Sequence, residues 1–144
     1  VKGTKMFQEI TDFATKTPML EKDLASAAQT MLSFNVAEEK VMPLLKQMGD
    51  ISMGDSQKLQ SLSLAFSQAS STGKLMGQDL MQMINAGFNP LAEISRTTGK
   101  SMEELKDEMS QGKITIEMLE GAFASATGEG GKFHNMLQKM SEQK

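Results

Sequence analysis

The chain contains no cysteine, tryptophan or tyrosine, and it holds one histidine and three prolines among 144 residues. Without cysteine it has no disulfide framework, no thiolate metal ligand and no cysteine nucleophile. The single histidine, His134, has no metal ligand or nucleophile at a recognisable spacing around it. Histidine is the commonest residue in metal sites and catalytic triads, and the one histidine here has no partner residue for either kind of site. We predict a surface histidine, no metal site and no catalytic residue.

Neither sign of charge dominates the sequence. It contains 15 lysine and arginine residues against 18 aspartate and glutamate residues, which gives a net charge of -3 at pH 7 and a pI near 5.2. This balance supplies no long-range field to attract phosphate, and no window carries the basic cluster typical of nucleic-acid binding. We therefore exclude DNA or RNA as the primary partner.

Long hydrophobic runs are also missing. No apolar stretch approaches the roughly 20 residues that a helix needs to cross a bilayer, and no basic stretch followed by a hydrophobic one opens the sequence. We expect neither a membrane contact nor a secretion signal in this segment. Val1 is not a start methionine and Lys144 follows a run that is still periodic, so we expect a segment cut from a longer polypeptide.

Apolar residues recur at steps of three and four through most of the chain, which is the spacing of one face of an α-helix. Strand-like alternation occurs nowhere. The sequence therefore predicts an all-α fold in which residues 1–144 form one compact domain of about eight or nine short helices. The predicted apolar faces are Met6, Phe7, Ile10, Phe13 and Ala14; Leu24, Ala27, Ala28, Met31 and Leu32; Ala37, Val41, Leu44, Leu45 and Met48; Leu59, Leu62, Phe66 and Ala69; Met76, Leu80, Met83 and Ile84; Leu91 and Ile94; Met102, Leu105 and Met109; Leu119, Ala122, Phe123 and Ala126; and Phe133, Met136, Leu137 and Met140.

Glycine and proline separate the predicted helices. Gly73 and Gly87 each follow a periodic run, where a helix end favours the left-handed conformation that glycine adopts without a steric penalty. Pro18 ends the first helix, and Pro90 opens a short helix that Gly99 stops. Pro43 lies inside the third periodic run, where we predict a kink rather than a restart of the helix.

Polar residues mark several helix starts. Asp55 or Ser56 is placed to cap the fourth helix by accepting a hydrogen bond from a free backbone N–H group. Ser101 and Glu104 match a capping box, in which each side chain bonds the other residue's backbone N–H. Thr115 is the next predicted cap. These caps fix the starts of three helices.

Two glycine-containing patterns invite comparison with phosphate-binding loops. Gly73-Lys74 lacks the glycine five residues earlier, where Gln68 stands, and the Ser or Thr after the lysine, where Leu75 stands. The glycine-rich residues 128–132 follow a predicted helix, whereas a dinucleotide fingerprint follows a strand. We interpret the first pattern as a helix cap and the second as a hinge or linker, and we assign no cofactor.

Four carboxylates cluster within two predicted helical turns, at Glu103, Glu104, Asp107 and Glu108. A calcium loop needs alternating oxygen ligands around a sharp glycine turn, and glycosidase carboxylates face each other across a cleft. Because the same helix has a separate apolar side, we predict that these acids form its solvated face. A small hydrolase that uses them is kept as a third hypothesis, which requires a second facing carboxylate with a raised pKa.

Methionine is unusually common, with 14 copies. Its unbranched side chain fills irregular gaps between helices, and it also suits adaptable docking surfaces. We favour a role in the core, because most of the methionines lie on the predicted apolar stripes. The candidate partner contacts are Met76, Met81, Met83 and Phe88.

The order of these motifs resembles the globular region of phage tail tape measure proteins. The matching landmarks span nearly the whole chain, and their succession is more specific than any one turn or cap. They are Thr17-Pro-Met-Leu20, Ala27-Ala28, Met31-Leu-Ser-Phe34, Val41-Met-Pro-Leu44, Gly49-Asp-Ile, Gly54, Phe66, Gly73-Lys-Leu-Met-Gly77-Gln-Asp-Leu80, Asn85-Ala-Gly87, Gly99-Lys-Ser101, Gly112-Lys-Ile-Thr115 and Gly130-Gly-Lys-Phe133. One departure is Phe34-Asn35, where we expect a glycine after the aromatic residue.

The resemblance implies a structural protein rather than a catalyst. Tape measure proteins are long, largely helical chains packed inside the growing tail tube, where their length sets the tail length, and they leave during genome delivery. The implied location is the virion tail, and the host cytoplasm during assembly. The implied partners are the tail tube, the tail tip or baseplate, assembly chaperones, or another copy of the chain.

A second hypothesis is a bacterial adaptor module whose methionine-rich groove accepts a partner helix. It requires an apolar groove that binds an amphipathic peptide.

Overall fold

The computed structural model describes residues 2–142 of the chain. Within that range nine α-helices and no strand are present, which confirms the predicted all-α fold. The helices are α1 (Lys2–Thr15), α2 (Glu21–Ser33), α3 (Glu38–Ser52), α4 (Ser56–Thr72), α5 (Gly77–Asn85), α6 (Pro90–Thr98), α7 (Met102–Ser110), α8 (Ile116–Thr127) and α9 (Met136–Glu142). An isolated antiparallel β-bridge between Lys74 and Thr115 joins the α4–α5 turn to the start of α8.

Helix α4 lies at the centre of the packing and contacts α2, α3 and α5. All four residues of its predicted apolar face are fully buried, at Leu59, Leu62, Phe66 and Ala69. Two serines on the same helix are also buried, Ser63 and Ser67, and their hydroxyl groups donate to backbone carbonyls of the helix itself at 3.0 Å and 2.6 Å. These hydrogen bonds remove most of the cost of burying the hydroxyl groups.

Helices α2 and α4, which pack against each other, both bury small side chains. Ala27 and Ala28 of α2 are buried, and so are the serines of α4. Such residues let two helix backbones approach closely, as the alanine-rich face of α2 predicts. The side-chain amide of Gln60 also donates to the Asp23 carbonyl at 2.9 Å, which ties the two helices together near one end.

Four phenylalanine rings connect the second half of the chain to α4. Phe66 of α4 packs edge-on against Phe123 of α8, with ring centroids 5.8 Å apart. Phe88 lies 4.9 Å from Phe123 and 6.3 Å from Phe133, measured between ring centroids. The four rings join α4, α8 and the segments that precede α6 and α9 in one aromatic cluster, and such edge-on pairs add to the stabilisation from burial alone.

Helix α3 runs from Glu38 through Pro43 to Ser52 without a restart. Its end is formed by Met53 and Gly54, which both have positive φ values of 53° and 88°. The two left-handed residues turn the chain toward α4, whose predicted cap is confirmed: the Asp55 carboxylate accepts a hydrogen bond from the Lys58 N–H at 3.0 Å.

The other predicted caps are also present. Thr115 accepts from the Met118 N–H at 3.2 Å, and Ser101 accepts from the Glu104 N–H at 3.1 Å, which forms the serine half of the capping box. Gly73, Gly87 and Gly99 all have positive φ, as predicted. Asn35 has a φ of 67°, so an asparagine takes the left-handed position where the family pattern suggests glycine.

Five residues of the predicted apolar faces are exposed instead, and one of them is Ala37, which immediately precedes α3. Phe7, Leu32, Met76 and Ile84 have exposed fractions of 59%, 41%, 44% and 37%. Leu32, next to buried Met31, falls outside the arc that the neighbouring helices cover. Met76 precedes α5 in an extended conformation and so does not share the helical face. The helical spacing of apolar residues does not show how much of a helix surface the neighbouring helices cover.

Residues 128–131, predicted as a hinge or linker, form a tight turn between α8 and the segment that precedes α9. The Gly131 N–H donates to the Gly128 carbonyl and the Phe133 N–H donates to the Ala126 carbonyl, both at 2.9 Å. A Cβ atom at Gly131 would lie 2.4 Å from the carbonyl oxygens of Ser125 and Ala126. Only glycine fits there, and the turn directs Phe133 back into the core.

Helix α9 packs against α3 at two consecutive residues. The Asp50 carboxylate accepts a hydrogen bond from the Leu137 N–H at 3.0 Å, and so caps the first turn of α9 from another helix. Burial raises the pKa of Asp50, although this hydrogen bond and His134 act in the opposite direction. Beside it, Gly49 leaves space for Leu137, whose Cδ1 atom would be 2.6 Å from a Cβ atom at residue 49.

We expect Gly49→Ala and Gly121→Ala to change stability in opposite directions. Both glycines lie inside helices, where alanine is favoured by about 1 kcal/mol. At Gly121 an added Cβ meets no atom within 4 Å, so Gly121→Ala should raise the free energy of unfolding by about that amount. At Gly49 an added Cβ would press against Leu137, so Gly49→Ala should lower the free energy of unfolding by about 1 kcal/mol overall. Urea denaturation measures both values, and equal stabilisation by the two variants would contradict the close α3–α9 contact.

Candidate functional site

The four candidate partner contacts lie in two different environments. Met83 and Phe88 are buried, with exposed fractions of 0% and 3%, and both belong to the hydrophobic core. Met76 and Met81 are exposed at 44% and 55%. A partner therefore has access to Met76 and Met81 only, and the prediction of a docking role is restricted to these two.

The burial of Phe88 follows from the turn after α5. Gly87 has a φ of 99°, and the next N–H, that of Phe88, donates to the Met83 carbonyl at 2.9 Å. This hydrogen bond closes the end of α5 and turns the Phe88 ring toward Phe123 and Phe133. The sequence identified the glycine turn but contained no signal for the direction of the ring.

The start of α5 is held by a buried carboxylate. Asp79 is 5% exposed, and its Oδ2 accepts a hydrogen bond from the Met76 N–H at 3.2 Å. Burial raises the pKa of Asp79, and this hydrogen bond partly counteracts the rise. The contact fixes the backbone of Met76 at the surface beside α5, so Asp79 has a structural role.

The exposed residues of α4 and α5 include no charged side chain after Lys58. We call them, together with Met76, the α4–α5 surface. Its members are Ser61, Leu64, Ser71, Thr72, Met76, Gly77, Gln78, Met81, Ile84 and Asn85. Four of these are large apolar side chains, namely Leu64, Met76, Met81 and Ile84. The two helices pack against each other, so this surface belongs to adjacent elements.

A groove of about 720 Å³ lies between α1 and α3. Met6, Met42 and Pro43 supply its apolar lining, and five charged residues supply the rest, Lys5, Glu9, Glu38, Glu39 and Lys46. The adaptor hypothesis requires an apolar groove that is rich in methionine. The groove in the structure contains two methionines, Met6 and Met42, together with the five charged residues.

The acidic cluster on α7 forms a solvated face, as predicted. Glu103, Glu104 and Asp107 are exposed, and Glu108 pairs with the Lys100 ammonium group at 3.0 Å. Among residues 2–142 no group of three or more histidine, aspartate or glutamate side chains is arranged to hold a metal ion.

His134 is half-buried rather than fully at the surface. Its Nδ1 atom lies 3.0 Å from the Thr127 carbonyl oxygen, and because a carbonyl only accepts, this nitrogen donates the proton. The side-chain nitrogen of Asn135 lies 3.3 Å from the other ring nitrogen. The imidazole thus links the end of α8 to the turn before α9.

Glu93 of α6 is the most highly connected carboxylate in the described part of the chain. It accepts hydrogen bonds from Arg96, at 2.5 Å and 3.2 Å, and from the Ser125 hydroxyl of α8 at 2.5 Å. The Arg96 hydrogen bonds, followed by the bond from Ser125, lower the pKa of Glu93 against the opposing effect of burial. A carboxylate that is held in its ionised form is a poor proton donor. The hydrogen bond from Ser125 to Glu93 instead fastens α8 to α6.

Comparison with known proteins identifies the family. A family model described as "Tape measure protein" matches residues 1–143. The chain belongs to the tape measure protein family. No curated protein and no solved structure matched it. The family match agrees with the resemblance in the order of the turn and cap motifs, and it identifies the chain as a structural component of phage tails.

Three carboxylates of this tape measure module make structural contacts. Asp79 and Glu93 are buried and Asp50 is half-buried, and all three bind groups of the chain itself. No helix within residues 2–142 is both long enough and apolar enough to cross a membrane.

We expect Glu93→Gln to lower the free energy of unfolding by about 1–2 kcal/mol at pH 7, because it removes hydrogen bonds to an ionised acceptor. The pKa of Glu93 is lower in the folded chain than in the unfolded chain, so ionisation stabilises the fold at neutral pH. That contribution is lost as the pH falls from the ordinary glutamate range through the lowered pKa. The difference between wild type and variant should therefore shrink in acid.

The control for this experiment is Glu103→Gln, which neutralises an exposed acid on α7. Chemical denaturation between pH 7 and pH 3 provides the comparison. A loss in Glu93→Gln that is independent of pH, or an equal loss in Glu103→Gln, would show that ionised Glu93 does not stabilise the fold.

Proposed function

We propose that this module contributes to the assembly and length of a phage or prophage tail through protein–protein contacts and without catalysis. The family match over residues 1–143 carries the proposal. The solvated acids of α7 and the structural contacts of Asp50, Asp79 and Glu93 support it. The proposed locations are the virion tail and, during assembly, the host cytoplasm.

The proposed partners are the tail tube, the tail tip or baseplate, assembly chaperones and further copies of the same chain. Met76 and Met81 are the predicted contact residues that a partner can reach. Methionine side chains adapt their shape to a partner at low cost, which suits contacts that form and are later broken. The net charge of -3 gives no support to nucleic acid as a primary partner.

The folded state determines how much length the module adds to a tail. A compact domain of this size is about 40 Å across, as estimated from the scaling of the radius of gyration with chain length. The same residues in one continuous helix would extend about 220 Å, at 1.5 Å per residue. The two values are far enough apart to be distinguished by tail-length measurements.

We expect in-frame deletion of residues 1–143 from the full-length phage protein to shorten the tails or to prevent their assembly. Shortening by no more than about 40 Å corresponds to a module that stays folded in the tail. Electron microscopy of negatively stained virions provides the lengths. Tails of normal number and unchanged length would contradict the proposal.

The matched control is the double variant Glu103→Gln/Glu104→Gln in the full-length protein. It removes two exposed acids without disturbing the core. Normal tails and normal infectivity are expected. A loss of infectivity with normal tails would instead support the hydrolase hypothesis.

A further inference from the structure

Helix α9 has few attachments to the rest of the fold. It has seven residues, and Leu137 is the one buried residue among positions 136–141. Helix α4, by comparison, buries seven residues. A helix as short as α9 is not stable in water without packing. Its helical state therefore depends on contacts with other elements, and it packs on α3.

The contacts of α9 are concentrated at the end of α3 and the turn that follows. The Asp50 carboxylate accepts a hydrogen bond from the Leu137 N–H at 3.0 Å. Gly49 leaves space for the Leu137 side chain, whose Cδ1 atom would be 2.6 Å from a Cβ atom at residue 49. The Cε atom of Met140 would be 3.5 Å from a Cβ atom at Gly54. All three contacts are made to residues 49–54, so they are lost together when α9 moves away.

The segment before α9 is held by different contacts. The Phe133 N–H donates to the Ala126 carbonyl at 2.9 Å, and the Phe133 ring belongs to the aromatic cluster. The Nδ1 atom of His134 lies 3.0 Å from the Thr127 carbonyl oxygen. Asn135 comes next, is exposed and has a φ of 52°. A change of backbone direction at Asn135 would move α9 without moving Phe133.

We propose that α9 detaches from α3 as a unit, with Asn135 as the pivot, while α1–α8 stay folded. The detached segment loses its helix, because seven residues do not hold one in water. The core around α4 and the aromatic cluster remain intact. Such local openings cost less free energy than global unfolding. Detachment uncovers Gly49 and Asp50, and so changes the surface that the module presents to other proteins.

Amide hydrogen exchange of the purified chain, measured by NMR, tests the proposal. The reporter of detachment is Lys139, whose N–H donates to the Asn135 carbonyl at 3.0 Å rather than to Asp50. The amides of α4 around the fully buried Leu62 report on global unfolding. When opening and closing are fast, each exchange rate follows the population of the open state. In the wild type we expect Lys139 to exchange at least tenfold faster than these α4 amides, after correction for intrinsic rates.

Two opposite substitutions separate detachment from global unfolding. Ala65→Gly weakens α4, which stays folded when α9 detaches, so the α4 amides should exchange about fivefold faster while Lys139 is unchanged. Gly49→Ala disturbs the packing of Leu137 only while α9 is docked, whereas alanine favours the α3 helix in both states. Exchange should therefore rise about thirtyfold at Lys139 and about fivefold in α4.

A third variant, Asp50→Ala, distinguishes detachment from fraying at the end of α9. It removes the carboxylate that binds the Leu137 N–H, so exchange at Lys139 should rise about fivefold. Fraying opens the Lys139 hydrogen bond without breaking the bond to Asp50. In that case Asp50→Ala would leave the exchange of Lys139 unchanged.

Three results would overturn the proposal. One is a wild type in which Lys139 exchanges as slowly as the α4 amides. The second is equal acceleration of Lys139 and the α4 amides by Ala65→Gly or by Gly49→Ala, which would show that α9 opens only in global unfolding. The third is no effect of Asp50→Ala on Lys139. The measurement uses the purified chain without a tail, so either proposal can fail while the other stands.

Discussion

The fold depends on burying α4 against three other helices at once. A helix contacted by α2, α3 and α5 tolerates few charged or bulky polar side chains, and α4 carries a single charge, Lys58, in its first turn. Its serines bond to its own backbone and so can be buried beside the alanines of α2. Phe66 then extends the same core to Phe123 of α8. The packing of α4 thus requires a part of the sequence that carries little charge. The exposed residues of α4 after Lys58 belong to that part of the sequence and are uncharged as well.

The second half of the chain is fastened to this centre at specific points rather than by one continuous interface. The β-bridge at Lys74 and Thr115 fixes the start of α8, and Glu93 joins α6 to α8 through Ser125. Helix α9, with seven residues, is too short to be stable alone and takes its N-terminal cap from Asp50 of α3. Because Asp50 and Leu137 are far apart in sequence, this contact forms only when α3 and the C-terminal part of the described chain have come together.

The sequence predicted the helices well because periodicity and capping are local properties. Asp55, Ser101 and Thr115 cap helices where their spacing indicates, and the glycines end them. The exposure of Phe7 and Ile84 and the burial of Phe88 depend on which neighbour covers each face, and a single sequence does not contain that information. The tightness of the turn at residues 128–131 was not predictable for the same reason, since Gly131 permits a close approach to the end of α8. Of the four candidate contact residues, helical spacing placed Met83 on the predicted apolar face and left Met81 off it, but it did not show that Met76 is exposed or that Phe88 is buried.

Under the proposed function, this compact module belongs to a protein that sets tail length, and the length that it adds depends on whether it stays folded. A helix adds length in proportion to its residues, whereas a folded module adds its diameter. To extend, this module would have to expose a core that includes Phe66, Phe123 and Met48, which are fully buried, at a cost equal to its free energy of unfolding. Under the proposed function, the length that these residues contribute therefore depends on the stability of the fold, and the packing around α4 is what keeps that contribution short.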